Sequence, residues 1–301
     1  MNREIGKSGK RASLPDLPDL PVHNLLGVAG SVRSRVFLEL GFGVWDFSPT
    51  LATMTPHPTL PGRYTSPEAK PAFVNRLFDR GARYYDGVVN WGFLHSGSFY
   101  RRWVQQRYGL KPGMHVLDVA CGTGLVAAGA AKILGSAENI TCLDPSAGML
   151  EQARKKLAAR FVQGRAEELP FPDGSFDFLT MGYALRHVMD LERTFAEYLR
   201  VLRPGGKVLI LEVTKPSGAV GRFLFRLYFG RIYPWLTQLF TRSRDARDMM
   251  AYYWETMDAC VPPDAVLAAM RSAGFSDVQR KSIGGMFSEY SGVRGELKVE
   301  G

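Results

Sequence analysis

From residue 115 onward, short apolar runs alternate with stretches whose apolar residues recur at helical spacing. Runs at 115–120, 140–144, 160–163, 176–182 and 207–213 are too short for helices and read as buried strands. Between them, 125–135, 146–158 and 191–202 carry the three-to-four-residue period of helices with one buried face. Asp190 stands where it can cap the last of these, and Pro204-Gly205-Gly206 predicts a turn that ends it. Pro263 suits a first helical turn, with the helix running to Ala273 and stopping at Gly274. Residues 277–283 and 286–294 close the chain as a strand pair. Strand–helix alternation of this kind predicts an α/β fold, a parallel sheet covered by helices on both faces.

Upstream the pattern changes. Aromatics and arginines crowd residues 66–108, and the spacings 73/77 and 99/103 predict a helical lid segment. Residues 1–65 lack periodicity; Leu14-Pro-Asp-Leu-Pro-Asp-Leu-Pro21 and the prolines at 56, 58 and 61 predict a disordered leader. A short apolar patch, Val36 to Trp45, interrupts it, and a second reading has synthesis begin at Met54. Residues 217–248 form a basic aromatic insertion within the domain that spans 109–301.

Charge adds a partner class. Thirty-eight basic against 29 acidic side chains leave a net +9, which favours an anionic surface. In 217–248 the arginines at 222, 226, 231, 242, 244 and 247 are mixed with large apolar residues, which suits lipid better than nucleic acid. The three cysteines show neither metal-ligand spacing nor a disulfide framework, consistent with a reducing, cytoplasmic setting. No apolar run reaches the roughly 20 residues of a membrane span, so any membrane contact is expected to be peripheral, on an inner face.

The candidate chemistry begins at His115-Val-Leu-Asp-Val-Ala-Cys-Gly-Thr-Gly-Leu-Val-Ala127, a strand, a glycine turn and a helix. Such a turn lets a ligand approach the backbone. Gly122, Gly124 and Ala127 match the dinucleotide fingerprint, with Asp144 placed for ribose hydroxyls. Asp118, however, precedes the glycines, where a pyrophosphate has no use for an acid and the ammonium of S-adenosylmethionine does.

Further signals stand in order downstream: Gln163-Gly-Arg-Ala-Glu-Glu-Leu-Pro170 after the third strand and Leu199-Arg-Val-Leu-Arg-Pro-Gly-Gly206 before the fifth. With the glycine turn they resemble class I S-adenosylmethionine-dependent methyltransferases, which implies a Rossmann-like, seven-stranded, mainly parallel sheet. Tyr85-Asp86, Tyr183-Ala-Leu-Arg-His-Val188 and Leu211-Glu-Val-Thr-Lys-Pro216 look like the ubiquinone/menaquinone C-methyltransferase family. That resemblance implies methyl transfer to a ring carbon of a prenylated quinone or phenol precursor. It also implies S-adenosyl-L-methionine contacts at Thr123, Asp144, Arg165 and Ala166, to which the residues themselves add Tyr85, Asp118, Gly122 and Gly124. Three positions depart from the family pattern: Arg165 replaces an adenine-accepting Asn or Asp, Gly182 replaces Ser, and His187 replaces Asn.

Ring methylation requires an electron-rich carbon, so a phenol must lose its proton. His187 is the titratable candidate for the base, Arg186 for stabilising the phenolate, and Glu212 for orienting substrate or pairing with Arg186. Alternative functions are methylation of a phospholipid amine or other hydrophobic acceptor, non-methyl chemistry on a quinone, or a non-catalytic subunit scaffolding a membrane assembly; expected partners include a quinone-biosynthesis complex or further copies of the chain in a homo-oligomer. A dinucleotide oxidoreductase ranks last.

Overall fold

The computed structural model describes residues 54–92, 97–216 and 218–295. The apolar patch at 36–45 and the rest of the leader to residue 53 lie outside the described residues.

Two helices come first, α1 (Lys70–Gly92) and α2 (Gly97–Arg107). The alternating region follows as β1 (Val116–Val119), α3 (Leu125–Leu134), β2 (Ile140–Asp144), α4 (Ala147–Arg154), β3 (Arg160–Gln163) and β4 (Phe176–Gly182). Then come α5 (Leu191–Val201), β5 (Leu202–Val213), α6 (Ala219–Leu227), a π-helical turn at Tyr228–Ile232, α7 (Tyr233–Thr241) and α8 (Arg244–Ala259). The chain continues through α9 (Pro263–Ser272), β6 (Phe275–Ile283) and β7 (Phe287–Arg294).

The strands form one seven-stranded sheet in the order β3-β2-β1-β4-β5-β7-β6. β7 alone runs opposite to the other six strands. Because successive strand residues face opposite sides, the apolar runs feed two cores at once. Leu117, Leu179, Val208 and Ile210 bury on one side with α5 and α9, where Phe195, Tyr198 and Met270 meet them. Val116, Phe178, Leu209 and Leu211 bury on the other with Val104 of α2 and Ala127 and Ala130 of α3.

Two boundaries differ from the sequence reading. Residues 54–65, expected to belong to a disordered leader, instead pack on the domain. Leu60 and Tyr64 bury beside Val74 and Tyr252, and Arg63 donates twice to Glu255 at 2.7 Å. Proline removes a backbone donor but keeps its carbonyl, and that suffices: Val261 N donates to Pro56 O at 2.8 Å. The turn expected at 204–206 is a bulge inside β5. Phe176 pairs with Leu202 and Phe178 with Lys207, and Gly205 takes φ +77° to absorb the extra residues.

Among the described residues no helix is long and apolar enough to cross a membrane.

Candidate active site

The sheet order places β1 between β2 and β4, the point where the strand order reverses and where ligands of open α/β sheets bind beyond the carboxyl ends. The turn after β1 is built from left-handed residues: Ala120 (φ 51°), Gly122 (φ 55°) and Gly124 (φ 79°). At Gly124 a side chain would also meet Leu157 Cδ1 at 2.9 Å, so this glycine serves the packing of α3 and not a ligand.

Asp144 ends β2 beneath that turn. Its carboxylate accepts Gly122 N and Ser146 N, both at 2.8 Å, and lines the cleft. Burial pushes it up to about 6 despite those two donors. Asp118 sits differently from the expectation. It is fully buried within β1, and both oxygens are taken, one by Thr180 Oγ at 2.8 Å and one by Ala127 N at 3.1 Å. It is not among the residues lining the cleft. It holds the first turn of α3 against β1 and β4, and burial pushes it up to about 7. Thr180, its partner, carried no signal in the sequence.

Thr123 is also turned from the cleft: its hydroxyl donates to Asp86 of α1, and Lys156 pairs with the same carboxylate. Asp79 of α1 accepts Ser146 Oγ at 2.6 Å and Gly148 N at 2.9 Å. The lid helix is thus fastened to the loops after β1 and β2, and Tyr85 hangs from it over the cleft.

The cleft has three adjoining cavities. One of about 80 Å³ is lined by Ala120, Gly122, Asp144, Met149, Gly182 and His187. A second of about 70 Å³ shares Ala120 and His187 with it and adds Leu143, Arg165 and Ala166. S-adenosylmethionine fits this pair: Asp144 offers an acceptor to ribose hydroxyls, Gly122 leaves the backbone bare, and Leu143 and Ala166 give an apolar bed for adenine. Arg165, half-exposed, pairs with Glu167 at 3.4 Å and brings no acceptor for the adenine amine.

The third cavity, of about 200 Å³, is aromatic, with Tyr85, Tyr100, Tyr183, Phe229, Tyr233 and Tyr253 in its walls. Tyr85, Tyr183 and Tyr253 are common to it and the cofactor side. Burial pushes all three phenols above their ordinary range. Tyr183 holds a left-handed backbone (φ 60°), unusual for a bulky residue. One polar side chain other than the tyrosines joins this lining, Arg101 of α2, which the sequence reading missed among many arginines.

The three residues put forward for chemistry are not brought together at this cavity. Arg186 is fully buried, bonded through Nη1 to Glu212 at 2.5 Å and to Tyr183 O at 2.8 Å, with its guanidinium 3.8 Å from the Tyr253 ring centre. Glu212, 3% exposed, faces a separate cavity beyond β5. Neither lines the aromatic cavity, so Arg186 is not placed to meet a phenolate there. His187 lines the two cofactor cavities instead, stacked on Tyr252 and edge-on to Phe78. Both its ring nitrogens lack partners among the described residues. Burial, then Arg186, Lys70 and His57, holds it well below the usual histidine range. A neutral, weakly basic imidazole that does not line the aromatic cavity is a poor proton acceptor for anything held there.

A cleft at the reversal of strand order, floored by an acid ending β2 and roofed by an N-terminal helix, is the arrangement of a Rossmann-like S-adenosylmethionine-dependent methyltransferase, and the chain is an enzyme of that class. More narrowly, it belongs to the ubiE/COQ5 methyltransferase family, whose model matches residues 65–294. It is 35% identical over 221 residues to the ubiquinone/menaquinone biosynthesis C-methyltransferase UbiE of Shewanella halifaxensis, covering 70% of this chain and 86% of that protein. It is 37% identical over 224 residues to the demethylmenaquinone methyltransferase of Symbiobacterium thermophilum, covering 70% and 87%. Among solved structures, Haemonchus contortus phosphoethanolamine N-methyltransferase 2 in complex with S-adenosyl-L-methionine shares the fold, with a TM-score of 0.54 at 17% identity over 79% of this chain and 62% of that one.

Proposed function

We propose that the enzyme methylates a ring carbon of a prenylated quinone precursor in its reduced, phenolic form, held in the aromatic cavity. The carrying observation is that cavity itself: walled by aromatic rings and sharing Tyr85, Tyr183 and Tyr253 with the cofactor side. The names of the two relatives support a quinone-type acceptor over a phospholipid amine. When bound, S-adenosylmethionine supplies an electrophilic methyl group. Asp144 would hold its ribose, Leu143 and Ala166 its adenine, and the three tyrosines would set the ring of the acceptor against it and keep water away. Purified enzyme incubated with labelled S-adenosylmethionine and a demethylated menaquinol should yield a product heavier by one methyl group. An unlabelled quinol, with label on phosphatidylethanolamine instead, would sink the reading.

The tail of such an acceptor lies in a membrane, and one surface supports that source. Val220, Phe223 and Leu224 of α6 and Trp235 and Leu239 of α7 are each more than half exposed. Arg226 on α6, at 71% side-chain exposure, flanks them. Phe229 and Tyr233, on the same run of chain, line the aromatic cavity. An apolar face edged by arginines suits an anionic bilayer. Sedimentation with phosphatidylglycerol vesicles should carry the protein down at low salt, and replacing Phe223 and Trp235 by Asp should release it. Co-sedimentation unaffected by these changes would remove α6 and α7 from the contact.

A further inference from the structure

The cavity that would take the acceptor holds a buried cation. Arg101 is 4% exposed and lines the cavity, yet its Nε has no hydrogen-bond partner and no acid among the described residues pairs with its guanidinium. It lies 5.7 Å from the centre of the Tyr183 ring and so packed over Gly97 that a side chain there would meet Nη1 at 2.8 Å. The nearby acids are already engaged. Glu289 of β7, fully buried, takes Arg107 and the hydroxyls of Tyr100 and Tyr108. Asp118 takes Thr180 and the Ala127 amide. Lining phenols from three elements, Tyr85, Tyr183 and Tyr253, are held neutral by burial.

An unpaired cation in an apolar cavity is costly to keep unless an occupant supplies the missing charge. We propose that Arg101 is a catalytic residue that binds the ring oxygen of the acceptor and favours its anionic form. The assignment rests on the reading of the cavity as the acceptor site. In the reaction the hydroxyl proton passes to solvent and the charge spreads from oxygen to the neighbouring ring carbon. That carbon's electron pair forms the new C–C bond, the methyl–sulfur bond breaks with its pair remaining on sulfur, and the ring C–H proton also passes to solvent as aromaticity returns. The guanidinium acts on the first stage, where a fixed positive charge stabilises a developing oxyanion. It replaces Arg186 in that role, because Arg186 is neutralised by Glu212 and lies outside the cavity.

The test needs no turnover. 4-Nitrophenol, whose anion is coloured, is small enough for the cavity and reports its own ionisation. Titrated with the S-adenosylhomocysteine-loaded enzyme, its apparent pKa should fall by about one unit or more, a tenfold shift toward the anion at a given pH. Arg101→Met should abolish that shift and Arg101→Lys should keep part of it. With the quinol acceptor, Arg101→Met should lower kcat by about 10²-fold or more, with a smaller loss for more acidic phenols. Melting curves identify any variant that does not fold, and Gly97→Ala, which displaces the guanidinium without removing it, then takes the place of Arg101→Met. If the wild-type enzyme binds the phenol without favouring its anion, or if Arg101→Met and Gly97→Ala leave the shift intact, the assignment to Arg101 is overturned. If the wild-type enzyme binds no phenol at all, the reading of the cavity as acceptor site fails as well.

Discussion

Glu212→Gln separates a structural ion pair from a catalytic carboxylate. The substitution keeps the side chain's shape and removes the charge opposite Arg186, with the two side chains 3% and 0% exposed. Burial is the largest influence and works against the charge of Arg186, while Glu212 together with the groups around it holds the guanidinium above its ordinary range; a guanidinium starts so high that Arg186 remains a cation in the variant. At an effective dielectric near 20, unit charges about 4 Å apart attract by about 4 kcal/mol. Breaking a buried pair from one side costs about 3–5 kcal/mol, since the surviving charge is left uncompensated. Some of the loss is recovered, because Arg186 keeps Tyr183 O at 2.8 Å and Thr256 Oγ at 3.1 Å. At roughly 2–4 °C per kcal/mol for a domain of this size, the melting temperature should fall by at most about 6–20 °C, less whatever those two bonds recover. Cofactor affinity, read by calorimetry below the transition, should change little. Pairing Glu212→Leu with Arg186→Met should cost less than either change alone, as buried pairs replaced by apolar groups generally do. A Glu212→Gln enzyme that melts within about 2 °C of wild type and loses turnover 10²-fold would refute the structural assignment and return Glu212 to the chemistry.

Asp144→Ala should abolish S-adenosylmethionine binding in calorimetry, while His187→Asn should leave turnover within a few-fold of wild type; a loss of about 10²-fold there would restore His187 as the base. Asp118 makes a pH prediction. Its carboxyl lies near 7 in the fold against an ordinary 3.8. The folded state therefore binds the extra proton between those values, and stability is greatest below about pH 4 and is lost as pH rises through 7. The shift corresponds to roughly 4 kcal/mol. Denaturant midpoints measured from pH 4 to 8 should therefore fall more steeply for wild type than for Asp118→Asn, and equal slopes would show that the carboxyl titrates normally.

The sheet was legible because strand and helix periods differ and the central runs, β1, β2, β4 and β5, feed buried faces. The first five strands stand where the apolar runs lie and the last two where the strand pair was expected, with the largest displacement at the bulge before Lys207. Proline misled at 54–65, because the pattern registers lost donors but not the apolar anchors Leu60 and Tyr64 that bury regardless. Within the glycine turn the sequence identifies residues but not their directions. Asp118, Thr123 and Gly124 share its motif with Gly122, yet only Gly122 of these four lines the cleft.

The same limit explains the residues proposed for chemistry. Arg186 and His187 are neighbours on a single 3-10 turn, Leu185–His187, with three residues to the turn. Adjacent side chains there diverge by about a third of a circle, so one reaches Glu212 near the end of β5 while the other enters the stack of Phe78 and Tyr252. Sequence adjacency therefore argued against a shared role, not for one. Arg101 comes from α2, distant in sequence from both, and only packing reveals it among the arginines: Arg107 is spent on Glu289 and Arg203 on Asp177, while Arg101 is buried facing a cavity with no ion-pair partner among the described residues.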